Sequence, residues 1–212
     1  MMNLEDREAG TSLVELMMTV FLIGVVMAAV TAGTFSAQKA IAGADLRLQN
    51  LDQARTLMAS LTKDVRTAVR LTAGSSPFTV ADKNHAVFYA NISTNSAPKK
   101  ADLSIDASSR LIETVWTADV GTVAPNYTYT GTSTVRLVGR YVANTVAKPL
   151  FQYLDISGNP LANTPLNATD LLAVRAVQIT LIVKKSTATP LNATSLVNRV
   201  RLANLDYNAV AG

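Results

Sequence analysis

The chain has 212 residues, 49% of them apolar and only 16% charged, where an average soluble domain carries about a quarter charged residues. It holds no cysteine and one histidine, which excludes disulfides, thiolate metal sites, cysteine nucleophiles and a His-paired zinc centre. The net charge of +4 is too small to point to nucleic acid by itself.

The first ten residues are hydrophilic and net acidic, with Glu5, Asp6 and Glu8 against Arg7. From Leu16 to Gln38 the next 23 residues carry no charge. A run of 18 or more apolar residues reads as a transmembrane helix. Glu15 stands at the mouth of that run, and an ionisable group within a membrane helix asks for a role. A cleaved secretory signal would need a basic start and a shorter apolar run. A plain membrane anchor accounts for the apolar length but for neither Gly10 nor Glu15. Lys39 is the first charge after the run, so charge bias does not fix the orientation.

The stretch Gly10-Thr11-Ser12-Leu13-Val14-Glu15-Leu16 resembles the processing site of type IV prepilins and of type II secretion pseudopilins. The resemblance implies cleavage by a prepilin peptidase between Gly10 and Thr11, with N-methylation of Thr11. It also makes Glu15 the fifth residue of the mature chain. Family members usually begin the mature chain with phenylalanine, and Thr11 departs from that pattern. Cleavage creates a cationic amine, and a charge in apolar surroundings wants a partner. The resemblance supplies one: Glu15 would meet the N-terminal amine of a neighbouring subunit. Gly24 falls where helices of pilin-like filaments often melt. Small residues in an apolar helix also permit close helix–helix approach.

After Lys39 the pattern turns amphipathic. Leu51, Ala54, Met58, Leu61, Val65 and Ala68 recur at intervals of three and four, as one face of a helix does. The charged residues Asp52, Arg55, Lys63, Asp64 and Arg66 are expected mostly off that face. With no proline before Pro77, one helix is expected from about Ser12 to Leu71. The run Ala73-Gly74-Ser75-Ser76-Pro77 ends it.

Beyond this boundary, strands are expected at Ala86–Asn91, Leu111–Thr117, Thr134–Tyr141, Leu150–Asp155, Val174–Lys184 and Leu196–Leu205. Val177, Ile179, Leu181 and Val183 alternate onto one face. The rest of the stretch from about Asn95 to Asn144 carries no assignment. Leu150-Phe151-Gln152-Tyr153-Leu154-Asp155-Ile156-Ser157-Gly158-Asn159 is similar to a hairpin of PilW-like and secretion-J-like minor pilins. Val200-Arg201-Leu202-Ala203-Asn204-Leu205 is similar to their closing strand. An octapeptide recurs, Thr164–Leu171 and Thr189–Leu196, each copy expected as a loop leading into a strand. His85 reads as a surface or capping residue. The pairs Lys99-Lys100 and Lys184-Lys185 lack interleaved aromatics in the sequence and read as solvated edges.

The expected fold class is α+β, a pilin-like fold in which a long N-terminal helix packs its amphipathic half on a C-terminal antiparallel sheet. The expected organisation is a leader over 1–10, a membrane and filament-core helix half over 11–38, an amphipathic half over 39–73 and an extracytoplasmic β-rich domain over 74–212. No catalytic, metal or cofactor site is expected; a lone carboxylate at Asp155 is too little for calcium. The implied role is a minor pilin or pseudopilin, held in the cytoplasmic membrane with its domain outside and then built into a filament. Its partners would be other pilins or pseudopilins, the prepilin peptidase, a membrane assembly platform and the lipid bilayer. Nucleic acid joins them only if the filament serves DNA uptake. The alternative is a membrane-anchored adhesin or DNA-uptake module that need not polymerise.

Overall fold

The computed structural model describes residues 12–92, 97–185 and 193–206. The chain divides into two units, Met1–Asp45 and Leu46–Gly212. Helix α1, Leu13–Arg66, runs 54 residues through the boundary between them. In the first unit it is uninterrupted at Gly24, Gly33 and Gly43, and a Cβ added at any of the three would touch nothing within 4 Å.

The second unit is α+β, as its patterning predicts. The α1 residues Ala54, Leu57, Met58, Leu61 and Val65 are buried. They belong to a core shared with Phe88, Leu103, Leu111, Phe151, Tyr153, Ile179 and Leu181. The buried face is wider than the intervals of three and four suggest. Asn50, Leu57 and Asp64 lie on it too, one below the other at steps of seven, while Leu51 is only half-buried. The helix stops at Arg66, before the expected Leu71, because the following backbone is drawn into a sheet. Val69 N–H donates to Tyr89 O at 2.8 Å and Asn91 N–H donates to Thr67 O at 2.9 Å.

The strands form two antiparallel sheets where a single one is expected. The first holds β1 (Phe78–Ala81), β2 (His85–Ala90), β3 (Lys99–Ile105), β4 (Leu111–Trp116) and β5 (Ser133–Gly139), in chain order. The second holds β6 (Phe151–Leu154), β7 (Ala176–Val183) and β8 (Thr194–Arg201). The split falls after Gly139, where a Cβ would overlap the Leu57 side chain. Beyond it the chain crosses from one sheet to the other. Val142 N–H donates to Ser109 O, and Ala143 N–H to Ile182 O. Asn144 then donates to Thr180 O at 2.6 Å and accepts from Ile182 N–H at 3.0 Å.

In β7 the alternation holds, with Val177, Ile179, Leu181 and Val183 fully buried and Gln178, Thr180 and Ile182 half-buried. Strands β1 and β3 were not expected; β3, Lys-Lys-Ala-Asp-Leu-Ser-Ile, is poor in strand formers and is fixed by pairing on both sides. The closing strand ends at Arg201, and Ala203–Asp206 is a short helix, α3. The first octapeptide copy leads into helix α2, Ala168–Ala173, and not directly into a strand. Asn167 caps α2 by accepting from Asp170 N–H at 2.9 Å, and its amide donates to the Asp170 carboxylate at 2.9 Å. The second copy has serine, Ser195, where the first has Asp170; its residues 189–192 lie outside the described residues.

Candidate functional site: an exposed apolar helix

Every described residue from Ser12 to Ala42 is exposed to solvent in the single chain. Leu13 keeps 75% of its surface exposed and Phe21 72%. The apolar residues surround the helix rather than striping it, the pattern of a segment buried by other molecules or by lipid. Among the described residues α1 is the one helix long and apolar enough to cross a membrane.

The threonine side chains within this segment are satisfied locally. The hydroxyls of Thr19, Thr31 and Thr34 donate to the carbonyls of Leu16, Met27 and Val30 at 2.7–2.9 Å. Such back-bonding leaves none of these three hydroxyls with an unmet donor facing outward. Glu15 is exposed in the first turn, where a carboxylate complements the helix dipole. Its N–H donates to Ser12 Oγ at 3.3 Å, and Leu16 N–H donates to Ser12 O at 3.1 Å. Ser12 therefore caps the helix, and Ser12-x-x-Glu15 has the spacing of a capping box. That signal is legible in four residues of the sequence, and it gives Glu15 a local role beside any that its charge implies. Gly10 and Thr11 lie outside the described residues.

Among the described residues, the second unit holds a buried charged cluster. Asp64 of α1 and Glu113 of β4 are 4% and 3% exposed. Arg136 of β5 donates to Glu113 Oε2 through Nε at 2.7 Å and Nη2 at 2.6 Å, and its Nη2 lies 3.6 Å from Asp64 Oδ2. Asp64 thus sits on the face from which its charge was expected to exclude it. The fold places its carboxylate where β5 brings an arginine to it. Burial, followed by repulsion from Glu113, pushes the Asp64 pKa up to about 6, against the attraction of Arg136 and Lys63 and a hydrogen bond from Ser60. Beside the cluster is a cavity of about 370 Å³, also lined by Ser60, Lys63 and Lys99. Its position ties α1 to the sheet.

His85 is half-exposed, and its Nε2 lies 3.0 Å from Asp102 Oδ1. The lysine pairs are less bare than the sequence implies. Lys100 is opposite Tyr89 on one side and Trp116 on the other, with its Nζ 5.2 Å from the Trp116 ring centroid. The aromatics missing from the linear sequence are supplied by neighbouring strands. Lys185 is tied to α1 through Asn50 and Gln49. Among the described residues there is no group of three or more His, Cys, Asp or Glu side chains placed to hold a metal ion.

These features define an α+β protein with one apolar, outward-facing N-terminal helical segment, suited to anchoring in a membrane. Comparison with protein-family models, with curated proteins and with solved structures finds no match to this chain.

Proposed function

We propose that the chain is a structural subunit, a minor pilin or pseudopilin, that assembles through the apolar part of α1. The observation that carries this reading is the exposed apolar segment beginning at Leu16, with Glu15 at its mouth and Gly10-Thr11 just before it. A cut between Gly10 and Thr11 gives the mature chain a cationic end. A carboxylate at Glu15 then offers that end of a neighbouring subunit a partner in surroundings of low dielectric. The subunit rests in the cytoplasmic membrane, domain outward, until it joins a pilus or secretion filament. It performs no chemistry of its own and is a substrate of the prepilin peptidase.

Two measurements test this. Intact-mass analysis in cells with active prepilin peptidase should show residues 1–10 removed from the wild type and retained in Gly10→Ala. Retention in both sinks the processing step. For Glu15, glutamine keeps the spacing of the capping box and removes the charge, whereas valine removes both. Loss of co-assembly in Glu15→Gln and Glu15→Val alike, with membrane insertion intact, supports charge pairing. Normal assembly of Glu15→Gln assigns the residue to helix capping alone. Normal function without any polymer favours the membrane-anchored binding module.

A further inference from the structure

Three arginines from two separate stretches of the chain meet at one end of the second sheet. Leu154 and Arg201 both pair with Ala176, on either side of β7. That register sets the end of β6, the start of β7 and the end of β8 side by side. Arg175 immediately precedes β7, and Arg199 and Arg201 share the exposed face of β8 because Val200 between them is buried. The turn after β6 closes the remaining side. Asp155 O accepts from Gly158 N–H at 3.1 Å, Asp155 Oδ1 accepts from Asn159 N–H at 2.8 Å, and Gly158 takes a φ of 83°.

Together these elements enclose a pocket of about 220 Å³ lined by Asp155, Ser157, Gly158, Arg175, Arg199 and Arg201. Two of the guanidinium groups are held by backbone. Arg175 Nη1 donates to Leu172 O at 2.7 Å and Val174 O at 2.9 Å, and Arg199 Nη2 donates to Gly158 O at 3.0 Å. Among the described residues neither Arg175 nor Arg199 forms a salt bridge. Both keep further N–H donors, since each guanidinium carries five. Asp155 is the one acid in the lining, and it spends its carboxylate on the turn.

We propose that this pocket is a binding site for a phosphate-class oxyanion. Arg175 and Arg199, neither in a salt bridge among the described residues, bring two guanidinium groups to one small cavity, and an oxyanion that accepts from both offsets their mutual repulsion. Pre-oriented guanidinium forks match phosphate oxygens in geometry as well as charge. The site is independent of the apolar helix and of any filament it builds.

The test is isothermal titration of the full-length chain in non-ionic detergent with inorganic phosphate at constant ionic strength. The wild type shows saturable binding with one site. Arg199→Gln raises Kd by about tenfold or more, the worth of one charge-assisted hydrogen bond. Arg199→Lys also loses affinity, because an ammonium keeps the charge without the fork. Arg201→Gln provides a second deletion should Arg199→Gln fail to fold, as judged by circular dichroism. Absence of saturable binding in the wild type, or unchanged Kd in the folded variants, overturns the site. Glycerophosphoglycerol, a soluble phospholipid headgroup, separates the two sources of such a ligand. If the diester binds as tightly as inorganic phosphate, the source is lipid; a tenfold preference for inorganic phosphate makes it a free phosphate. Either result upholds the pocket.

Discussion

Replacing Asp64 by asparagine should stabilise this protein at neutral pH, although it removes a charge that lies near an arginine. The carboxyl titrates near 3.8 when unfolded and near 6 when folded, so the folded state binds its proton more tightly. Between those values the folded chain is protonated at Asp64 and the unfolded chain is not. Stability therefore falls as pH rises from about 4 to about 6 and levels off above. Each pH unit is worth about 1.4 kcal/mol, so the loss is at most about 3 kcal/mol. That figure already includes the attraction of Arg136 and Lys63 and the repulsion of Glu113, and Lys99 lines the same cavity. Asparagine occupies the same space without a proton to lose. Thermal unfolding of the detergent-solubilised chain, followed by circular dichroism from pH 4 to 8, measures both forms. Asp64→Asn should match the wild type near pH 4 and exceed it at pH 7.5 by roughly 1–3 kcal/mol, or about 2–10 °C in Tm. A variant that is less stable at pH 7.5, with the wild-type slope unchanged, refutes the balance and makes the ion pair with Arg136 the dominant effect.

The core gives two further predictions. Leu61→Ala empties a fully buried site between helix and sheets and should cost about 2–5 kcal/mol in the same assay. Gly139→Ala forces a methyl group into the Leu57 side chain, and should cost about 1–3 kcal/mol. Combining Gly139→Ala with Leu57→Ala should cost less than the two single losses together, since the second change makes room for the first; simple additivity argues against that contact.

The apolar run after Glu15, the amphipathic half of α1 and the alternation of β7 were legible because each repeats one physical pattern over many residues. Asp64 and Asn50 were not. A polar residue on a buried helix face is tolerated only when a remote partner arrives, and Arg136 and Lys185 arrive from β5 and the end of β7. Strand β3 is illegible for a related reason: its weak strand formers are held by β2 and β4, whose positions no local pattern specifies. Gly139, at the end of the first sheet, is equally opaque: its missing side chain has meaning only against Leu57. The arginine pocket combines residues from three chain segments through strand register. The helix cap at Ser12, by contrast, was open to reading.

The threonines of α1 have a consequence for specificity. Between Leu16 and Phe35 the hydroxyl side chains are Thr19, Thr31 and Thr34, and each is turned back onto its own helix. A lipid or protein lying along that stretch therefore meets no hydroxyl donor aimed at it, only apolar surface and the acceptor side of three hydroxyls. Groups able to make directional contacts stand at its two ends, Glu15 before it and Ser36, Gln38 and Lys39 after it. Between those ends, whatever covers the segment can be selected only by shape.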